Sequence, residues 1–349
     1  MVSKTKNAFL LSLILVASVA FLVSSADARE IIVDPSWMAD GYPTLINNIM
    51  DGDSETFGKD GETDAVYGDT ISFASGTYEL PMDRVWFVLK IDGVDIKGAG
   101  WDNTILKGPN ANTGFIFEIK SSNNTFSDLK MEGRFIGALI NGENYENINF
   151  SFLKTNGFDK HITWDNQYDE SETLEPTIWL ENVYMKEGSI GIHFAEINGT
   201  RRETKFLGGS HLTLDGVTVV GIDAPVIWEN QTVTEMKGND HFSDSIIVNS
   251  QAEFFPDTYN GMGSPWNFIA HEVVEETMAD RGIGKNNIED NPMLDSNGRP
   301  RPGSPAIGRQ YKDGYAGAVP PHFTNIRATK RLPVISVREI GGLIIPFLI

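Results

Sequence analysis

One short pattern recurs along this chain: an apolar residue, two polar or turn-forming residues, then alternating apolar positions that close at glycine. It reads Ile91-Asp92-Gly93-Val94-Asp95-Ile96-Lys97-Gly98, Phe126-Ser127-Asp128-Leu129-Lys130-Met131-Glu132-Gly133, Leu180-Glu181-Asn182-Val183-Tyr184-Met185-Lys186-Glu187-Gly188 and Leu214-Asp215-Gly216-Val217-Thr218-Val219-Val220-Gly221, with a weaker copy from Ile148. The period of two within each copy is that of a strand. A unit this short cannot bury its own apolar side, so copies must stack on one another as the coils of a solenoid.

Between the copies lie further strand-like runs, among them Phe115 to Ile119, Ala138 to Ile140, Ile190 to Phe194 and Ile246 to Val248. No helical period interrupts Val85 to Ser250, which argues against a doubly wound α/β sheet. An immunoglobulin-like sandwich has short strands too, but it does not repeat one motif in register. The expected fold is all-β, a right-handed parallel β-helix. Tyr42 to Met50 carries Pro43 near its start and apolar residues at helical spacing, which predicts a short capping helix. Gly68 to Tyr78 then reads as the first strand region, and His271 to Asp280 as a helix in an irregular C-terminal cap.

Lys4 and Lys6, an apolar run from Ala8 to Val23, and Ala26-Asp27-Ala28 form the three parts of a secretory signal, so the mature chain is expected to begin at Arg29. The rival reading is an uncleaved membrane anchor, for which the run is short. The expected organisation is a signal over 1–28, an N-terminal cap with an acidic loop over 29–67, coils over 68–250, and a C-terminal cap and tail over 251–349. Removing residues 1–28 moves the formal net charge from −20 to −21. Such a chain is no general nucleic-acid binder, because those proteins neutralise phosphate with Lys and Arg. The absence of cysteine in a secreted chain predicts a core large enough to need no disulfides.

Three stretches carry a resemblance. Gly68-Asp69-Thr70-Ile71 with Gly76-Thr77-Tyr78, Ile96-Lys97-Gly98-Ala99-Gly100-Trp101-Asp102-Asn103-Thr104-Ile105-Leu106, and Asn291-Pro292-Met293-Leu294-Asp295 with Pro302-Gly303-Ser304-Pro305-Ala306-Ile307-Gly308 resemble secreted right-handed parallel β-helix proteins of the pectate-lyase-like superfamily. The resemblance spans residues 42–320 and implies the fold. That superfamily includes lyases, hydrolases, esterases, epimerases and non-catalytic surface proteins, so the fold leaves the activity open.

Counted from the starts of the repeats, Phe126 to Ile148 is 22 residues, Ile148 to Leu180 is 32 and Leu180 to Leu214 is 34, with a further strand near Ser245. Three successive coils thus carry extra residues at one turn: Gly157 to Pro176, Glu196 to Ser210 and Glu229 to Ser243. Insertions at one turn of stacked coils form a wall beside one face, a groove suited to a polymer. The expectation is an extracellular acidic polysaccharide, with Trp164 and Tyr168 stacking on sugar rings and Lys205 and His241 also contacting them. Lys160, His161, Arg201 and Arg202 are candidates for base or charge neutraliser in a polyuronate elimination. Asp159, Asp165 and Asp169 are candidate Ca²⁺ ligands, Glu170 stands beside them, and His193 reads either as pointing outward onto the groove face or as a satisfied edge residue.

A second candidate Ca²⁺ loop runs from Asp51 to Glu62, with Asp51, Asp53, Glu55 and Glu62 at the first, third, fifth and twelfth places. It lacks the usual glycine at the sixth. Solvated acidic loops are the plain alternative for both clusters. Asn123, Asn149, Asn198 and Asn230 stand in Asn-x-Ser/Thr triplets, and there is no Ser-His-Asp signature, phosphate loop or HExxH. The expected molecule is a monomer with no membrane span in its mature form. It is a polyuronate lyase-like enzyme, ranked above a glycoside hydrolase because no diagnostic carboxylate pair stands out, or a non-catalytic carbohydrate-binding surface protein.

Overall fold

The computed structural model describes residues 28–39, 46, 49–50, 64–80, 87–108, 114–141, 145–166, 177–196, 211–228, 241–251, 269–273, 287–308, 311 and 313–321. Every strand pairing in it is parallel, apart from two isolated antiparallel bridges. Strands Glu30–Val33, Thr70–Phe73, Asp95–Gly98, Thr125–Ser127, Ile148–Ser151, Thr177–Glu181, His211–Asp215 and His241–Ser243 follow one another across an eight-stranded sheet, the first face. A thirteen-stranded sheet supplies two more faces. The second carries Gly76–Glu79, Thr104–Lys107, Lys130–Glu132, Lys154–Asn156, Ile246–Ser250, Ile269–Val273 and Ile288–Glu289; the third carries Phe87–Leu89, Phe115–Ile119, Ile136–Asn141 and Lys160–Asn166. The long strands Tyr184–Glu196 and Thr218–Trp228 run through both. This is the expected parallel β-helix.

Alternation within each strand sends one set of side chains inward, and the parallel register stacks like on like. On the first face the inward column is Ile31, Ile71, Ile96, Phe126, Phe150, Leu180 and Leu214, none more than 1% exposed. On the third face Phe117, Ala138, Ile162, Ile192 and Val226 form one column, and Ile119, Ile140, Trp164 and Phe194 another. The rings of Phe73, Phe87, Phe117, Phe126 and Phe150 touch in sequence at centroid separations of 5.1 to 5.5 Å. Each such ring contributes roughly 1.5–3 kcal/mol by leaving water. One continuous apolar core results, reaching from Ile31 to Ile247.

Register corrects the repeat alignment. Phe126 pairs with Ile96 and with Phe150, not with Ile91 or Ile148. The Ile91 copy therefore leads into the first-face strand Asp95–Gly98, whereas the later copies start on the first face and round the corner beyond it. The coils from Phe126 are 24, 30, 34 and 28 residues long, ending at Phe150, Leu180, Leu214 and Phe242. At the corner after the first face one residue turns the chain with positive φ: Asp128, Phe152, Asn182, Gly216 and Asp244.

The ends also differ in part from expectation. Ile46, Ile49 and Met50 are helical and buried, as the capping-helix reading requires. A further short helix, Ser36–Ala39, starts where the Asp34 carboxylate accepts the Ser36 N–H at 2.8 Å. His271 to Val273 is not the start of a helix. It belongs to strand Ile269–Val273, paired with Ile246–Ser250: Ala270 continues the inward column through Ile247, and Ile269 stands beside Ile246 on the outward side, packed with Ala306, Tyr311 and Ala316; residues 274–280 lie outside the described set. The C-terminal segment lies along the solenoid, with the Gly317 N–H donating to the Asp244 carbonyl at 2.6 Å and the Ala318 N–H to Thr218 Oγ1 at 2.8 Å. Among the described residues no helix is long and apolar enough to cross a membrane.

Candidate functional site

The three long insertions share one corner. Asn166 pairs with Glu196 and Phe194 with Trp228 where the chain leaves the third face, while Thr177 pairs with His211 and Thr213 with His241 where it enters the first. Segments 167–176, 197–210 and 229–240 therefore begin and end on neighbouring strands. They lie outside the described residues, and with them Tyr168, Asp169, Glu170, Arg201, Arg202 and Lys205. Asp51, Asp53, Glu55 and Glu62 do too.

The rest of the expected site is not a loop. Residues 160–166 form a strand, and its alternation puts Trp164 in the core at 1% exposure, against the ring of Phe194. Trp164 is thus a packing residue and not a platform for sugar. His161 is fully buried at the corner, its Nδ1 sharing a 2.6 Å hydrogen bond with Thr155 Oγ1, and its ring edge-on to Phe158. Burial pushes the imidazole down to about 3, against the Glu187 backbone carbonyl, which favours the charged form. A side chain so enclosed serves neither as base nor as acid to an outside substrate. Lys160 is half-buried at the same corner, in register with Ile136 and Ile190. His241 lies in a first-face strand beside Thr213, on a different sheet from His193.

Of the three candidate Ca²⁺ ligands Asp169 lies outside the described residues, and Asp159 and Asp165 do not converge. Asp159 accepts a 2.6 Å hydrogen bond from Ser189 Oγ, whereas Asp165 stands five residues along the strand from Lys160, roughly 16 Å away at the usual rise. Among the described residues no group of three or more His, Asp or Glu side chains is arranged to hold a metal ion.

Two polar surfaces do emerge. On the third face the positions between inward residues place Glu118, Leu139, Thr163 and His193 in one rank, with Asn141 and Asp165 in the next. His193 has Ile192 and Phe194 facing inward on either side, so it points out of the core. Glu118 pairs with Lys120 Nζ at 2.7 Å and accepts a hydrogen bond from Asn141. Asp165 and His193 are diagonal neighbours, a separation that side chains span. Thr163, Asp165 and His193 are nonetheless at most 2% exposed.

The first face is open from its first strand to the one carrying Trp179, and Thr213 and Asp215 beyond it are buried. Its outward ranks are Glu30, Thr70, Asp95, Thr125, Asn149, Trp179 and Thr213, and beside them Ser72, Lys97, Ser127, Ser151, Glu181 and Asp215. Over them lies a groove of about 500 Å³ that runs from Arg29 past Thr70, Asp95, Lys97, Thr125 and Ser127 to Phe152. Trp179 stands two strands beyond Thr125 in the same rank with 47% of its surface exposed, and Phe152 is equally exposed. Sequence reading missed this surface. Its signal was the repeated polar-apolar-polar triplet (Thr-Ile-Ser, Asp-Ile-Lys, Thr-Phe-Ser, Asn-Phe-Ser, Trp-Leu-Glu), visible only once Ile71, Ile96, Phe126, Phe150 and Leu180 are known to be in register.

No family model matches the chain, and no curated protein or solved structure is significantly similar to it.

Proposed function

We propose that this protein is an extracellular carbohydrate-binding β-helix that lays an extended glycan along the open first face. The observation carrying this reading is the accessible rank that leads from Thr70 to the exposed indole of Trp179. Successive strands stand about 4.8 Å apart, near the length of one sugar in an extended chain, so each coil offers one set of hydroxyl, amide or carboxylate groups per sugar. Indole presents an apolar face to a pyranose ring, and the Ser, Thr and Asn side chains exchange hydrogen bonds with sugar hydroxyls. Along the groove Lys97 faces Glu30, Asp95 and Asp128, and the Arg29 guanidinium is already paired with Asp69 at 2.6 Å. That carboxylate excess favours a neutral polymer over a polyuronate. The likeness to secreted pectate-lyase-like proteins supports the extracellular setting and the polymer.

Polyuronate elimination is the second reading, favoured by the shared corner of the insertions that carry Arg201, Arg202 and Lys205. Affinity electrophoresis through neutral and uronate polysaccharides, with ultraviolet detection of unsaturated product and with or without chelator, separates the two. Retardation by a neutral glycan without product, weakened about tenfold or more in Trp179→Ala, is the expected result for loss of an aromatic anchor. Unsaturated product from a uronate polymer establishes the lyase instead, and its loss with chelator adds Ca²⁺. Unchanged retardation of Trp179→Ala removes the first face from consideration.

A further inference from the structure

The first coil is closed by a cluster built on Asp69, which the glycan reading does not use. Asp69 is 1% exposed and stands directly before the strand Thr70–Phe73. Its Oδ1 accepts the backbone N–H of Arg29 at 2.9 Å, and its Oδ2 accepts Arg29 Nε at 3.0 Å, Arg29 Nη2 at 2.6 Å and the Val66 N–H at 3.0 Å. The guanidinium also donates to the Asp64 carbonyl at 2.6 Å, and the Arg29 carbonyl receives the Thr70 N–H at 2.8 Å. Arg29 is therefore fixed at its nitrogen, its carbonyl and its side chain, and the first strand begins at the next residue. Ala28, immediately before it, is exposed. A carboxylate buried this deeply is stable only where charge or several donors meet it.

We propose that the chain is cut between Ala28 and Arg29, and that the α-ammonium group created there is held by Asp69 as a buried ion pair that completes the first coil. In the cut, an endopeptidase that accepts small residues at the last and third-last places directs water onto the Ala28 carbonyl carbon. The C–N bond breaks, the water oxygen stays on Ala28, which leaves as a carboxylate, and the Arg29 nitrogen takes up both protons of that water to become an ammonium. A single neutral N–H donor to Asp69 Oδ1 thereby becomes a charged one, at a position already within hydrogen-bonding distance. Charge-assisted hydrogen bonds of this kind are about twice as strong as neutral ones. Residues 26 and 28 are both alanine, so the sequence requirement and the structural receptor fall on the same bond.

The test begins with the full-length chain expressed in an exporting host, where the intact mass and N-terminal sequence of the secreted product are expected to start at Arg29. A start elsewhere, or retention of residues 1–28, overturns the proposal. Thermal melting is then compared across four forms: the Arg29 start, the same chain with one extra alanine before Arg29, and Asp69→Asn in each background. The extra alanine is expected to lower the melting temperature while Asp69 is present and to leave it unchanged in the Asp69→Asn variant. An equal effect in both backgrounds refutes the ion pair. Should Asp69→Asn fail to fold, amine labelling of the unmodified protein at neutral pH decides: the Arg29 α-amine is expected to react roughly tenfold more slowly than the same amine in the heat-unfolded chain, because the carboxylate holds it protonated. Equal rates refute the proposal.

Discussion

At the corner between the second and third faces, His161 is neutral because charging it inside the core would cost more than the Thr155 and Glu187 contacts return. Its folded value of about 3 lies below the ordinary 6.5, so the unfolded chain binds the proton first as pH falls. Stability from this residue is therefore complete above pH 6.5 and declines below it, by about 2 kcal/mol between pH 7 and pH 5. Denaturant titrations at the two pH values are expected to show that difference, and His161→Gln is expected to reduce it by most of that amount. A variant with the wild-type slope would place the acid sensitivity in other groups. Asp69 adds a slope of the same sign at lower pH, below its ordinary value of 3.8. Burial opposes its charge, but the hydrogen bonds from Arg29 and Val66 outweigh it and hold the carboxyl below its ordinary value. From sequence, His161 read as a loop residue in reach of substrate, since the pattern Lys-His-Ile-Thr-Trp does not say which neighbours enclose it.

The turn after the first face is the element on which the coils depend. Each passes through one residue with positive φ, and in four of the five named coils that residue is Asn, Asp or Gly, which tolerate the left-handed region. Phe152 occupies it at φ 49° with 47% of the residue's surface exposed, so it bears the steric cost with little return from burial. Phe152→Asn is expected to stabilise the protein by about 0.5–1 kcal/mol in urea unfolding, since the left-handed region costs an ordinary side chain about 1–2 kcal/mol. Lower stability in the variant would show that the ring's packing outweighs its strain. Gly188 has a different reason to be glycine: a Cβ there would lie 2.0 Å from the Phe158 carbonyl oxygen and 2.7 Å from His161 Nε2. The strand pattern was legible because polar-apolar alternation survives in one dimension. The register was not, because a coil of 24 residues and one of 34 present the same triplet to their neighbours.

At the scale of the molecule, each coil contacts only the coils above and below, so stability is the sum of stacking terms along one axis. Strands within the stack, such as Thr177–Glu181 and Tyr184–Glu196, have a paired strand on both sides, whereas Glu30–Val33 and Ile288–Glu289 have one. Hydrogen exchange is expected to protect central amides most and those two terminal strands least, a gradient that follows the order of the sheet. Uniform protection would instead mean all-or-none opening of the whole stack.

The sequence by itself determined the kind of fold. A recurring strand-length motif with turn residues at fixed places has no other way to bury its apolar side than by stacking, and the long coils declared their extra residues by length alone. Tertiary structure alone decided which polar residues are reachable. Trp164 and Trp179 have similar local surroundings in sequence, yet the parity of one strand turns Trp164 into the core and that of the other turns Trp179 into solvent. That parity is set by which residue of the neighbouring coil each one pairs with, and pairing across 24 to 34 residues leaves no mark in the local pattern.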